Sequence, residues 1–544
     1  MSELQKCNFG EEFAPWQTGA AFSAYWSYTF INNSMFYAMV PAYYRPFMQR
    51  MVQKWGWWND GWVPYFHNQD KGILSTRLAS SLVQKITRKV VGSRVMFKNV
   101  GNQEDKTGAN ETRTLMSKWA NKTNFEKTIK VACKYACAMG TSLIKINKNS
   151  DGRLWTEAVR FDRFVPTIDA STGKLREVKC FLMTEIDYGK GTDAVSDFTQ
   201  VYNLVEHRYF GDYKSLDGKE YKDIALVDYQ VYKATGTISQ GSFAMLPNQG
   251  TETIPWKTLP KKVQASIREN YGTILLGIAK PLPFTTLGAE LLTWTTEVNG
   301  YPQLPFGESV LENIMPLLME YDYMISSMGT DMYLGRGRVM LPAGIESPNQ
   351  SNGLASNWNS GYDSMMFVKI PYVNPEDQSP TPLQFSLRSE EWAKLRNTII
   401  ESIAVNIGLS PSTIASFLND SSARTAREIS TEENETAAYV ADTRAIIETP
   451  INCIIDEIRL FMGLKDEVEV RWSQSGLTNS YITTEMMVQQ YQNGLISLKD
   501  AITNLNPDDD EEQILLKVAS ARADFEKKTS LSQPFDESQY FKGS

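Results

Sequence analysis

Ala426, Ile429, Val440, Ile447, Ile451, Ile454, Ile458 and Phe461 recur at helical spacing and predict a single helix over about residues 425–462. At ~1.5 Å per residue such a helix is about 60 Å long, and the rest of the fold has to be arranged around it. Pro450 lies inside it and should bend it. The stretch before it is unlike a helix. "GLSPSTIASFLNDSSAR", Gly408 to Arg424, is crowded with Ser, Thr and Asn and separates two helical patterns. Its short hydroxyl and amide side chains are too polar to bury without partners, apart from Ile414, Phe417 and Leu418, which can tether it. Ser421 or Ser422 can cap the helix that follows.

The helix before this stretch starts at Ser389, read as its N-cap, with Glu390 and Glu391 in the first turn. Trp392, Leu395, Ile399, Ile403 and Ile407 share one face; Lys394, Asn397 and Glu401 share the opposite one. Gly408 supplies the stop and Pro411 prevents continuation. An earlier helical pattern covers about 305–332 through Val310, Ile314, Leu317, Leu318, Tyr321, Ile325, Met328 and Met332. Pro316 either kinks its first turns or marks its true start. Between the two helices lie short strand signals, "RVMLPAGI", "SMMFVKIPYV" and "TPLQFSL", and a loop, "ESPNQSNGLASNWNSGYD".

Residues upstream form a mixed region reaching to about 304. Leu74, Leu78, Leu82 and Ile86 predict a helix over 72–91, and a second helix is read across 110–140. The period then changes to two. "TSLIKINKNSDGRLWTEAVRFDRFVPTID" reads as a hairpin turning at Ser150-Asp151-Gly152, with strands to follow in "KLREVKCFLMTEIDYG", "QVYNLVEHRYFG" and "DYQVYKATG". Roughly eighteen aromatics crowd residues 1–66 and predict a segment that wraps over a core or a neighbouring subunit. After the long helix come a strand, "EVEVRW", and further helices, the last preceded by the acids Asp508–Glu512, which suit a helix N-terminus. The fold class is α+β.

Little in this chain suggests catalysis. The histidines are two, His67 and His207, with no second His or Cys at ligand spacing. The five cysteines include no CxxC pair; Cys133 and Cys137 share a helix face and read as small apolar core residues, as in a reducing compartment. Gly173-Lys174 and Gly189-Lys190 lack the first glycine of a phosphate-binding loop and read as turns, and Leu334–Leu341 reads as a turn into a strand. No cofactor or metal is expected. The net charge is −8, so a large basic surface is not expected, and no apolar run is long enough to span a membrane.

The order of elements, together with "GTSLIKINKNSDGRLWTEAVRFDRFVPTIDASTGKLREV", "DSSARTAREISTEENETAAYV" and "YQNGLISLKDAITNL", resembles the portal proteins of tailed bacteriophages, most closely those of Gram-positive-host siphophages. The aromatic N-terminal segment departs from that pattern. The resemblance implies a ring-shaped homo-oligomer of twelve subunits at one capsid vertex, in the host cytoplasm during assembly. It implies an N-terminal arm and wing over 1–304, a first stem helix over 305–332, a clip over 333–387 and a second stem helix over 388–407. A tunnel loop over 408–424, a long wing helix over 425–462 and a C-terminal crown over 463–544 complete it. Double-stranded DNA passing through the channel would meet Ser412, Thr413, Ser416, Asn419, Ser421, Ser422 and Arg424 of the loop and Lys394, Asn397 and Glu401 of the stem. Asn349, Gln350, Asn352, Trp358 and Asn359 of the clip would meet the terminase large subunit and then the head-tail adaptor. Major capsid and scaffolding proteins are the other implied partners, with no membrane. The alternatives are another ring-forming virion protein, such as an adaptor or baseplate component, and an α+β enzyme of unfamiliar type.

Overall fold

A computed structural model describes residues 44–51 in part, 76–92, 95–99, 107–148, 151–169, 172–187, 199–215, 218–239, 242–245, 252–271, 274–295, 304–334, 338–342, 367–370, 381–383, 388–411, 414, 426–472, 490–491, 496–505 and 514–523. The chain divides into two compact units. One comprises Met1–Trp55, Leu82–Val310 and Ala426–Ser544; the other comprises Gly56–Ser81 and Leu311–Thr425.

In the larger unit the helices α1 (Leu78–Val91), α2 (Thr107–Thr123) and α3 (Phe125–Met139) precede a sheet. Two of the helical predictions are corrected here. The first helix begins at Leu78 rather than near 72, because Arg77 has a positive φ and the Thr76 backbone N–H is engaged by Asp322 at 3.0 Å. The pattern over 110–140 is two helices, broken at Asn124 in the left-handed conformation, which lets Phe125 turn inward onto Trp119 at 5.0 Å. Cys133 and Cys137 are fully buried, as their spacing predicts.

Strands β2 (Thr141–Lys148) and β3 (Leu154–Arg160) form the predicted hairpin around Asp151-Gly152, and β11 (Ala289–Thr293) adds to β2 to make a three-stranded antiparallel sheet. Alternation carries on into β4 (Phe164–Ile168), yet a single 3-10 turn at Phe161–Arg163 moves β4 into a second sheet. There, β5 (Leu175–Asp187), β6 (Thr199–Lys214) and β7 (Glu220–Ser239) run as a long antiparallel meander, and the short strands β8 (Ser242–Met245), β9 (Glu252–Thr253) and β10 (Lys280–Pro281) complete seven. Gly173-Lys174 is the turn between β4 and β5, as read from the sequence. Helix α4 (Lys261–Tyr271) buries Val263 and Ile267 against Leu204, Tyr202 and Val231 of the meander.

The long helix is α7 (Ala426–Phe461), with Pro450 inside. Val440, Ile447, Ile451, Ile454 and Ile458 are buried and the helix packs against β11 and β2. The C-terminal strand β15 (Val468–Trp472) pairs antiparallel with β1 (Val95–Asn99), so both ends of the sequence contribute to this unit. The helix α8 (Leu498–Leu505) and helical residues 514–523 follow. The described N-terminal aromatics, Tyr44 and Phe47, pack on Phe306 with ring centroids 5.0 and 5.5 Å away. These two aromatics pack on a core of their own chain, and the other aromatics of residues 1–66 lie outside the described residues.

The smaller unit holds α5 (Met315–Leu334) and α6 (Ser389–Ile407). Strands β12 (Arg338–Pro342), β13 (Phe367–Ile370) and β14 (Thr381–Leu383) form one sheet with β12 in the middle. The helix predicted from 305 begins at Met315, with Pro316 marking its start. Residues before it cannot join a helical ladder, because the N–H groups of Gly307, Glu308 and Val310 are bonded to Thr141 Oγ1, Thr295 Oγ1 and Cys137 O. Ser389 is the first helical residue of α6 and not its cap; Arg388 occupies that position without a side-chain cap bond.

Candidate functional site

The antiparallel pair α5 and α6 carries the described part of the predicted channel. Asp331, near the C-terminal end of α5, accepts from Arg388 at 2.7 Å and from the Trp392 indole at 3.2 Å, pinning the two helices at one end. Thr76 donates to the Asp322 carboxylate on α5 through its backbone N–H and its hydroxyl, the latter at 2.5 Å. Burial raises the Asp322 pKa, against the pull of these two bonds.

Lys394, Asn397 and Glu401 are exposed on the face of α6 opposite the buried Ile399, Ile403 and Ile407, as the spacing predicts. Polar side chains nearby are occupied by their own helix: the Thr398 hydroxyl donates to Lys394 O, Ser402 to Thr398 O and the Asn406 amide to Ser402 O. One residue departs from the expected apolar face: Leu395 is 45 % exposed. Helix α6 ends where predicted. Gly408 adopts φ 83°, and the N–H groups of Gly408 and Leu409 both bond to Ala404 O. Pro411 and Ile414 have helical backbone and Ile414 is buried. Ser412, Thr413, Ser416, Asn419, Ser421, Ser422 and Arg424 lie outside the described residues, as do Asn349, Gln350, Asn352, Trp358 and Asn359.

Sequence reasoning missed a buried charged cluster in the larger unit. Lys145 on β2 lies 3.3 Å from Glu206 on β6 and 3.3 Å from Glu157 on β3. Arg208 donates to Glu206 at 2.7 Å, to Asn147 at 3.0 Å and to the carbonyls of Leu287 and Gly288. Burial would raise the Glu206 carboxyl, but Arg208 and Lys145 hold it at about 2. Burial would likewise depress Lys145, and Glu206 outweighs it. The cluster ties the three-stranded sheet to the seven-stranded one. Alternation alone could not find it, since charged residues at alternate strand positions ordinarily face solvent.

On the other face of the meander His207 sits between two carboxylates. Its Nε2 is 2.7 Å from Glu177, and its Nδ1 is 3.1 Å from Asp228 in an ion-pair contact whose angle falls short of a hydrogen bond. Tyr209 stacks on the ring at 4.5 Å, Lys179 reaches Glu177 at 3.1 Å, and Gln230 donates to Asp228 at 2.7 Å. Burial opposes the charged ring, and Asp228 and Glu177 outweigh it, so the His207 pKa is raised above 6.5. A folded value above the unfolded one stabilises fully below the unfolded value and is lost as pH rises through the folded one. The thermal midpoint of the wild type should therefore exceed that of a His207→Gln variant most below about pH 6.5, with the gap narrowing toward alkaline pH. A gap independent of pH would show that the ring is not charged in the folded protein.

Among the described residues no group of three His, Cys, Asp or Glu side chains could hold a metal ion, and no helix is long and apolar enough to cross a membrane. The described residues form an α+β body interrupted by a helix–sheet–helix excursion. A family model described as "Phage portal protein, SPP1 Gp6-like" matches residues 73–524, and the chain belongs to that family. No curated protein matches the chain significantly. Membership decides among the readings open at the sequence level: the chain is a bacteriophage portal protein, and its family is a structural one and not an enzyme family.

Proposed function

We propose that the chain works as a closed ring, of twelve copies, at one capsid vertex, through which double-stranded DNA enters during packaging and leaves at ejection. The terminase large subunit docks first and the head-tail adaptor replaces it, with major capsid and scaffolding proteins surrounding the ring. Portals of Gram-positive-host siphophages are the nearest group by the order of elements.

The observation that carries this reading is the incomplete burial of α5 and α6. Leu317, Met319, Tyr323, Ile325 and Met328 of α5 are half-buried, Met332 is 58 % exposed, and Val405 of α6 is 71 % exposed. A helix apolar on nearly every side belongs in an interior, and copies of the same helices around a ring supply one. On this reading α5 and α6 are the stem and 333–387 the clip, which is supported by 311–425 leaving and rejoining the larger unit as one excursion. The polar stretch to Arg424 is the tunnel loop, α7 the long wing helix, and 463–544 the crown.

Arg424→Glu tests ring and channel together. Native mass measurement should return one closed oligomer for both proteins, while the variant alters DNA retention after packaging. Monomers and dimers alone would remove the ring, and unchanged retention in an intact ring would remove Arg424 from the channel.

A further inference from the structure

The acidic total hides a strongly basic segment. Residues 78–139 carry twelve Lys and Arg against four Asp and Glu, a net +8 in a chain whose total is −8. The described part of this segment is α1, β1, α2 and α3; Lys98 is paired with Glu469 at 3.3 Å and Lys130 with Glu126. Arg88 of α1, Lys118 and Lys122 of α2, and Lys127 of α3 are exposed; Lys134 of α3 is half-exposed. None of these five forms an ion pair within 4 Å among the described residues, whereas Lys130 is held by Glu126 on its own helix.

Their placement is regular. On α3, Lys127 and Lys134 lie on the face opposite the buried Phe125, Ile129, Ala132 and Ala136. On α2, Lys118 and Lys122 are one turn apart, away from the buried Thr112 and Met116. The two rows lie on either side of the Asn124 corner, where Trp119 packs on Phe125. Lys118 and Lys122, four residues apart, are separated by about 6 Å along their helix, and Lys127 and Lys134, seven apart, by about 10 Å.

We propose that the α2–α3 lysine face is a binding surface for the phosphate backbone of double-stranded DNA. The inference rests on the portal reading, which supplies DNA as the polyanion present. Residue type favours DNA over an acidic protein surface: protein interfaces are depleted in Lys, while a row of flexible ammonium groups suits sequence-independent contact with phosphates. Contact of this kind lets DNA move along the surface, because no base is read.

The test uses the full chain in its assembled form and a short duplex of random sequence, followed by fluorescence anisotropy across a salt series. A Lys118→Gln/Lys122→Gln/Lys127→Gln/Lys134→Gln variant should bind at least tenfold more weakly at low salt. Its slope of log affinity against log salt should be shallower by about 3 to 4, since each lost phosphate contact removes ~0.9. A Lys257→Gln/Lys261→Gln/Lys262→Gln variant around α4 should bind like the wild type, which separates this face from general loss of charge. Equal affinity and slope for the quadruple variant and wild type would overturn the proposal. So would a quadruple variant whose assembly mass changes while duplex affinity does not, because the lysines would then be contacts between subunits. Assembly mass is read on the same samples, so failure of the ring and failure of the DNA face are distinguishable.

Discussion

Gly140→Ala should destabilise the protein by at least about 3 kcal/mol. Gly140 has φ +80°, and a Cβ there would sit 2.1 Å from the Gly307 carbonyl oxygen. The crossing is tight from both sides, since a Cβ on Gly307 would lie 2.6 Å from Gly140 O. Neither backbone can retreat. Gly140 O accepts from Trp294 N at 2.9 Å, and Gly307 N is bonded to Thr141 Oγ1 at 3.0 Å. Flanking anchors hold the crossing further: Ser309 donates to Ala138 O, Val310 N to Cys137 O, and Phe306 is buried among Tyr44, Phe47 and Phe161. The segment leading out of the larger unit is thereby fixed just before the excursion at 311. Chemical denaturation of Gly140→Ala beside Gly307→Ala checks this. A midpoint within error of wild type for either would mean that the crossing relaxes freely.

The second large effect is expected from Glu206→Gln. The substitution keeps the shape and removes the charge that Lys145 and Arg208 share, leaving two buried cations with only the half-exposed Glu157 nearby. Breaking a buried pair on one side costs about 3–5 kcal/mol, because the remaining charge stays desolvated. Replacing all three with Met and Leu removes that penalty but leaves the Leu287 and Gly288 carbonyls without Arg208, at about 1–3 kcal/mol. The triple variant should thus fall between wild type and Glu206→Gln in denaturant midpoint. A single variant as stable as wild type would show that water reaches the cluster.

Several parts of the molecule are dictated locally, and those were legible in the sequence. Period-3.6 apolar residues set α7, α6 and the face on which Lys394, Asn397 and Glu401 are exposed. Period-2 alternation with Asp151-Gly152 set the β2–β3 hairpin, and Gly408 set the end of α6. Residues that miscount the pattern were decided by contacts from elsewhere. Asn124 breaks a continuous helical pattern because Trp119 and Phe125 pack across the corner. Residues 305–314 look helical, yet the N–H groups of Gly307, Glu308 and Val310 are taken by Thr141, Thr295 and Cys137. β3 and β4 follow one another in a single alternating run, and a single 3-10 turn sends them to different sheets.

What the sequence by itself determined was the type and order of elements, the α+β class and the likeness to portal proteins, because these depend on neighbours within a few residues. Tertiary structure alone decided which distant segments meet. It paired β1 with β15 from opposite ends of the chain, brought Gly140 against Gly307, and enclosed Lys145, Glu206 and Arg208 as a paired cluster. Periodicity tells which side of a strand a residue occupies. Whether that side meets water or another sheet depends on long-range packing, and packing sets the dielectric and the partners that give each charge its energy.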